Sequence, residues 1–514
     1  MQRSGGLTRR EFLKLVSLIP VGVYSRPLSN LASAMQGNGP NIIILVFDAW
    51  SQHNTSLYEY RRHNMPNLER FADTATVYHN HYSTGSYTVP GTASILTGMH
   101  PWSHRALQLG GGVANRHTGN TIFSALSPTH STLAFTQNKF ADLILHQADA
   151  DLDRHADYWS FNVQKTNVYG SSFLEKHHRT SFASIEDNLV QKGEGYDSSL
   201  FFGPLSRLYT LYNRFKNTQQ YGNDYPLGLP DATEFFLLPD VVDGAIDLLK
   251  GIQKPSLTYF HFYPPHEPYT PTDDFYGSFA DGWSAPDKPI HDLSDKKYRP
   301  EKLHVERQFY DEFIATWDQE VARLFQFLNE SGLTRNSYIF VTSDHGEMFE
   351  RGELGHWTPL LYDPVIHVPL IVSSPGQTAR QDVHTLTSSV DLLPTIAQLS
   401  GNPIPDWAEG KLLPELGGQE DESRSIFSMD AKTNSSFTPL VNYSICLTRD
   451  RHRLAYYCYP EDQYEKFEFY DLDVDREELV DLYPSRPSLA VEMQDELLQK
   501  VTEVNRQKPN NGGY

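Results

Sequence analysis

The chain has 514 residues, 39% of them hydrophobic and 21% charged, with no uninterrupted apolar stretch long enough to span a bilayer. This excludes a disordered chain, a collagen and a polytopic membrane protein, and predicts a globular protein with one large core or two domains. The 43 Lys and Arg against 64 Asp and Glu give a formal charge of −21, so nucleic acid is not an expected partner. Only Cys446 and Cys458 are present, which excludes a disulfide scaffold, a multi-cysteine zinc module and a catalytic cysteine near the N-terminal motifs.

The first segment reads Thr8-Arg9-Arg10-Glu11-Phe12-Leu13-Lys14, then an apolar run from Leu15 to Tyr24, then Ala32-Ser33-Ala34. A paired arginine, a short hydrophobic region and a small-residue cleavage site form a twin-arginine export signal over residues 1–34, read by the twin-arginine translocation machinery. Its removal leaves 38 basic against 63 acidic residues, or −25. Such substrates cross the membrane folded, so a metal loaded in the cytoplasm would travel with the protein to the periplasm or the exterior. The two cysteines are not expected to pair there. In a hairpin turning at Asp450-Arg451, residue 446 faces 455, and Cys458 lies three positions, or about 10 Å, further along.

Asn41 to Phe47 is a short, continuous, β-branched run, the mark of a central parallel strand covered on both faces. Similar runs are Leu257 to Phe262, Tyr338 to Thr342 and Val368 to Ser373. Tyr310, Phe313, Ile314, Trp317, Val321, Leu324, Phe325 and Leu328 have the three-and-four spacing of one face of a long helix. Strands alternating with helices predict an α/β fold, here a large, mostly parallel sheet sandwiched by helices over residues 38–435. Residues 151–240 are aromatic, polar and irregular, and are expected as an insertion over the active-site face. From 436 to 514, short strands (443–448, 453–459, 467–470) and a helix near Ser488 to Val504 predict a smaller α+β subdomain.

Ligands of open α/β sheets bind outside the carboxyl ends of the strands. Asp48 follows the first run, His266 shortly follows the second, and Asp344 and His345 follow the third. Two carboxylates and an imidazole suit a divalent metal ion, and Thr88 adds a hydroxyl if the fold brings it near. The imidazole favours zinc or manganese over calcium. Thr88 precedes Val89-Pro90-Gly91 and Gly98, where a proline opens a helical turn and a glycine closes it, so it stands at a helix N-terminus suited to an anion or acts as that helix's cap.

These segments together resemble the sulfatase family of the alkaline phosphatase superfamily. Asn41 to Asp48 is similar to its opening strand and metal-ligand Asp, and Met65-Pro66-Asn67-Leu68 to its P-N-L helix. Thr88-Val89-Pro90-Gly91-Thr92 with Leu96-Thr97-Gly98 resembles its nucleophile segment, C/S-x-P-x-R followed by L-T-G. His266 in Pro265-His266-Glu267-Pro268-Tyr269 corresponds to its active-site histidine, and Ser343-Asp344-His345-Gly346 to its second metal pair. Val390-Asp391-Leu392-Leu393-Pro394-Thr395-Ile396 and Tyr470-Asp471-Leu472 match its later signatures. The resemblance implies an alkaline-phosphatase-like fold, an ester-cleaving enzyme and a small-molecule, lipid-head-group or glycan ester as substrate.

The departures from the family pattern bear on mechanism. Sulfatases convert the Cys or Ser of the nucleophile segment to formylglycine; oxidation of Thr88 would give a ketone instead, and the segment's Arg is Thr92. The family's second Asp is Ala49, its usual Asn is His345, and its G-K-W-H segment is replaced by Thr136-Gln137-Asn138. Asp48, Thr88, Asp344 and His345 resemble instead the single-metal set of the superfamily's phosphoethanolamine and phosphoglycerol transferases, in which an unmodified Thr attacks phosphorus. That likeness implies Thr88 as nucleophile, with His266 and His356 neutralising the phosphoryl oxygens and protonating the leaving group. Phosphodiester cleavage or phosphoryl transfer is the leading expectation. A sulfatase without formylglycine and a non-catalytic binding protein are the alternatives. Arg154, Arg179, Arg207 and Arg214 are available as a clamp that would favour monoesters or sulfates.

Overall fold

The computed structural model describes residues 39–156, 158, 160–161, 211–212, 215–229, 236–253 and 255–506; residues 1–34, expected as an export signal, most of the 157–235 stretch and Arg179, Arg207 and Arg214 lie outside the described residues. Strands β1 (Asn41–Phe47), β2 (Thr76–Tyr78), β3 (Ser131–Thr136), β4 (Arg154–Ala156), β5 (Ser256–Phe262), β6 (Ser337–Thr342), β7 (Leu370–Ser373) and β8 (Gln381–Val383) form one sheet in the order β8-β2-β7-β6-β1-β5-β3-β4. Every pairing is parallel except those of β7 with β6 and with β2. The sheet is therefore mixed and mostly parallel, with the apolar run from Asn41 at its centre. The stretch expected as irregular from residue 151 begins instead with the edge strand β4, paired to β3.

Successive strand side chains point to opposite faces. Ile43, Leu45 and Phe47 enter one core with Trp317 and Val321, while Ile42, Ile44 and Val46 enter a second with Ala93, Ile95 and Leu96. The first core is closed by helices α1 (Pro66–Ala72), α4 (Leu238–Lys250) and α5 (Pro300–Glu330). The second is closed by α2 (Thr88–Thr97), α3 (Lys139–His146) and α6 (Leu392–Leu399). All eight apolar positions of the periodic stretch from Tyr310 to Leu328 are buried, the whole stripe of α5 facing the sheet.

A second, antiparallel sheet follows: β9 (Ser425–Asp430), β10 (Tyr443–Arg449), β11 (His452–Tyr459) and β12 (Tyr464–Asp471), covered by α7 (Ser488–Arg506). Its edge strand β9 lies before the boundary expected at 436, because β9 pairs along its whole length with β10. The hairpin register pairs Cys446 with Ala455, and both cysteines are free thiols, Cys446 buried and Cys458 partly so.

Arg453 on β11 is completely buried and ties this sheet to the rest of the chain. Its guanidinium donates to Asp363 and, at 2.8 Å, to Glu478, and lies over the ring of Tyr82. Removing one partner of a buried ion pair leaves uncompensated charge at a cost of about 3–5 kcal/mol. Arg453→Ala is expected to lower stability by that amount, read as a fall in the urea midpoint at unchanged slope.

Candidate active site

The carboxyl ends of β1, β5 and β6 and the N-terminus of α2 converge on one buried cluster. Asp48 leaves β1 with its N–H donated to the Phe262 carbonyl at 2.9 Å. Asp344 and His345 leave β6, and Ser343 stitches the two turns together: its hydroxyl donates to the Phe47 carbonyl at 2.6 Å and accepts from the N–H of Trp50 at 3.0 Å. Thr88 is the first residue of α2, and Gly98 closes the helix with φ of 65°. The cap position belongs to Tyr87, so the Thr88 hydroxyl is not used as a cap and faces the cluster instead. Gly91 seats this turn on the β6 loop, since a Cβ there would stand 2.2 Å from the Asp344 carbonyl oxygen.

His345 donates from Nδ1 to the Gly346 carbonyl at 2.9 Å, which fixes the tautomer and turns Nε2 inward. That Nε2 lies 3.3 Å from Asp48 Oδ1, 3.6 Å from Asp344 Oδ2 and 3.3 Å from Thr88 Oγ1. A second imidazole, His261, occupies the opposite side: Nδ1 is 3.1 Å from the Tyr259 hydroxyl, and Nε2 is 3.3 Å from Asp48 Oδ2 and 3.7 Å from Asp344 Oδ2. Asp48 Oδ1, Asp344 Oδ2 and His261 Nε2 are buried without hydrogen-bond partners among the described residues. Buried polar atoms aimed at one another without a partner are costly unless something charged sits among them. The donor set of two carboxylates, two imidazoles and a hydroxyl fits a divalent transition-metal ion.

Asn138 completes the inner ring. Its Oδ1 caps α3, accepting from the N–H groups of Phe140 at 2.7 Å and Ala141 at 3.4 Å, while Nδ2 donates to Asp48 Oδ2 and, at 3.3 Å, to Thr88 Oγ1. Beyond His345 the imidazoles continue outward: the ring of His356 is 4.3 Å from that of His345, and the ring of His266 is 4.7 Å from His356. His356 Nδ1 is 3.1 Å from the buried Glu347, and His266 Nδ1 donates to the Glu267 carbonyl at 2.6 Å. At the mouth, Trp357 is 48% exposed, packs edge-on against Tyr87 and has the Lys432 ammonium 4.8 Å from its ring centre.

The electrostatics separate otherwise similar groups. Burial raises the pKa of both carboxyls; in Asp48 the charge of His266 and the close approach of His261 and His345 outweigh it and hold the group well below the carboxylate range, whereas Asp344, facing Asp48, is raised. Burial opposes charge on His345, but Asp344 and Asp48 push it up to about 9. Burial likewise opposes charge on His266, but Asp48, Glu347 and Glu267 together outweigh it, so its pKa is raised. His356, buried beside His345 and His266, is depressed well below the ordinary imidazole value. Burial raises Glu347 to about 8.

The structure thus brings Asp48, Thr88, Asp344 and His345 together, with His356 and His266 alongside. Sequence reasoning missed His261, Asn138 as a site group, Glu347 and Lys432. The signal for His261 was a lone histidine near the end of an apolar strand, in register with Val46 and Thr136. Of the expected clamp arginines, the described one, Arg154, is an exposed residue opening the edge strand β4.

The profile of the family described as Sulfatase matches residues 40–148 and 160–402, and one described as N-sulphoglucosamine sulphohydrolase, C-terminal, matches 352–507. Over 501 residues, 86% of this chain and 91% of the relative, the chain is 23% identical to the multifunctional alkaline phosphatase superfamily protein PehA of Trinickia caryophylli. It is 25% identical to arylsulfatase K of Xenopus laevis over 230 residues, a match covering 44% of this chain and only 40% of that relative. The fold matches the crystal structure of the phosphonate monoester hydrolase of Agrobacterium radiobacter with a TM-score of 0.64 at 16% identity, covering 90% of this chain and 96% of that one. With the family pattern spanning both sheets and the buried cluster between the strand ends, this chain is a member of the sulfatase family of the alkaline phosphatase superfamily.

Proposed function

We propose that the protein is an exported, metal-dependent phosphoesterase or phosphoryl transferase that uses unmodified Thr88 as its nucleophile and favours phosphodiesters. The observation that carries this reading is the Thr88 hydroxyl at the N-terminus of a buried helix, within 3.3 Å of both His345 Nε2 and Asn138 Nδ2 and facing the unpartnered carboxylate oxygens. Asp48, Asp344, His345 and His261 would hold one divalent ion, with zinc or manganese favoured by the two imidazoles. When bound there, that ion supplies Lewis-acid polarisation and lowers the cost of negative charge on the threonine oxygen.

The residues divide the remaining work. Thr88 loses its hydroxyl proton to solvent, its Oγ1 attacks phosphorus as the bond from phosphorus to the leaving alkoxide breaks, and Asn138 holds that oxygen in place while orienting Asp48. His266, whose pKa is raised, is the proton donor to the leaving alkoxide; His356, kept neutral, hydrogen-bonds the phosphoryl group. Two like groups whose pKa values are pushed in opposite directions are the usual sign of divided roles in proton transfer. Water or an acceptor alcohol then releases the phosphoryl group from Thr88. His266→Gln is expected to slow turnover of esters with poor leaving groups by about 10²–10⁴-fold and to spare aryl esters whose alkoxide needs no proton. Equal loss on both substrate types would remove His266 from this role.

The preference for diesters follows from charge. A monoester dianion needs more neutralisation than a diester monoanion, and the family's motif Arg is here Thr92, buried beside the Tyr259 ring system. The likeness to a phosphonate monoester hydrolase agrees with a singly charged phosphorus ester. Sulfate-ester hydrolysis is the second reading, favoured by the family profile and arylsulfatase K. A non-catalytic role is disfavoured, since Asp48, Asp344 and His261 keep buried polar atoms aimed at one another, an arrangement that costs stability and that a purely structural site does not need. The test is kcat/KM for one aryl alcohol presented as diester, monoester and sulfate, with diester expected first; a clear lead for sulfate overturns the phosphoryl reading.

A further inference from the structure

A second cluster of metal-ligand side chains lies at the far end of α3. Asp142 and His146 stand one turn apart on that helix, so both project from the same face. Asp149 opens the following 3-10 turn, and His155 is the middle residue of edge strand β4, opposite Ala134. His146 Nδ1 is 2.8 Å from Asp149 Oδ2, and His155 Nδ1 is 2.8 Å from Asp149 Oδ1. Their other nitrogens both face Asp142: Nε2 of His146 is 3.2 Å from Oδ2, and Nε2 of His155 is 3.0 Å from Oδ1. The two rings lie 4.6 Å apart.

A neutral imidazole has one N–H. With Nδ1–H donated to Asp149, each Nε2 can meet the carboxylate of Asp142 only through a second proton or a metal cation: hydrogen bonds to Asp142 and Asp149 push His146 up to about 10 and, against burial, His155 up to about 9, and one divalent ion would replace both Nε2 protons between the same atoms. Two ligand atoms about 2.0–2.1 Å from a tetrahedral zinc are about 3.3 Å apart, close to the separations found. A carboxylate accepting Nδ1–H from imidazoles whose Nε2 faces a ligand site is the outer arrangement of protein zinc centres. Asp142, on the ligand side, is almost fully buried, whereas Asp149, on the Nδ1 side of both rings, is half exposed.

We propose that Asp142, His146 and His155 form a second transition-metal site, zinc by ligand type, with Asp149 as outer partner to both imidazoles. The ion ties the last turn of α3 to the sheet edge and leaves one coordination position for water. Because Asn138 caps the other end of this two-turn helix, the site also braces the residue that contacts Asp48 and Thr88. Magnesium or calcium would not be selected by two imidazoles.

The test is zinc content and affinity of the chelator-stripped full chain after zinc is added back. Two ions per chain are expected in the wild type, one in His155→Gln and one in Asp344→Asn, and Asp149→Ala should bind the second ion about 10–100-fold more weakly. His155→Cys guards against loss of fold, because with cobalt(II) it should gain a thiolate-to-cobalt charge-transfer band. A single wild-type ion that is lost in Asp344→Asn and kept in His155→Gln overturns the proposal, as does folded His155→Cys protein without the band. A single ion lost only in His155→Gln supports it and instead removes the metal from the proposed active site.

Discussion

Thr88→Ala is expected to lower kcat by at least about 10⁴-fold, the scale on which removal of a catalytic nucleophile is felt, while KM changes little. The fold should survive, because the helix cap is Tyr87 and, among the described residues, the Thr88 side chain makes its polar contacts to His345 and Asn138. Thr88→Ser restores the hydroxyl without the methyl group and should recover most of the rate. Incubation of the wild type with an aryl phosphodiester, rapid acid quenching and peptide mass analysis should place a phosphoryl group on the peptide containing Thr88. Wild-type turnover in Thr88→Ala, with the metal content unchanged, would assign the attack to water and remove Thr88 from the chemistry.

The parts of this protein legible in the sequence are those fixed by local pattern. The central strand from Asn41 to Phe47 is apolar on both faces because it is covered on both, and the α5 stripe follows helical spacing for the same reason. Asp48, Asp344 and His345 were found because strand ends are where such sheets place polar chemistry. His261 escaped because it lies inside a strand, one residue before its end, where a histidine has no local mark; only the registers with Val46 and Thr136 put it beside Asp48. Asn138 was visible only as part of a departure from a family motif, and its contact across 90 positions of sequence to Asp48 depends on the packing of α3 against α2. Strand β9 was missed because its partner, β10, is what makes Ser425–Asp430 a strand. The Asp142, His146 and His155 set was overlooked for a related reason: the four-residue spacing was present, but the third ligand comes from a three-residue edge strand with little apolar signal.

Asp48→Asn and Asp344→Asn are expected to weaken metal binding at the active site by more than about 100-fold, beyond the loss caused by removing an outer partner, and to abolish turnover at ordinary metal concentrations. The pH dependence of the same site separates a metal centre from a self-sufficient ion-pair cluster. Without metal, protons must balance two buried carboxylates, which is why His345 is raised to about 9 against burial. A raised folded-state pKa contributes stability that is complete below the unfolded value of about 6.5 and is lost as pH rises through about 9. Metal binding runs the other way, because Nε2 of His345 and of His261 must be free of protons to act as ligands. Metal-free protein should therefore lose stability between about pH 7 and about pH 9, while the rise in Tm produced by saturating zinc should grow over the same interval. Turnover should fall toward acid pH as protons displace the ion, and added zinc should shift that fall to lower pH. A zinc-induced rise in Tm that shrinks with increasing pH, or an acid limb indifferent to zinc, would mean that protons alone neutralise Asp48 and Asp344 and that the chemistry at Thr88 proceeds without the cation.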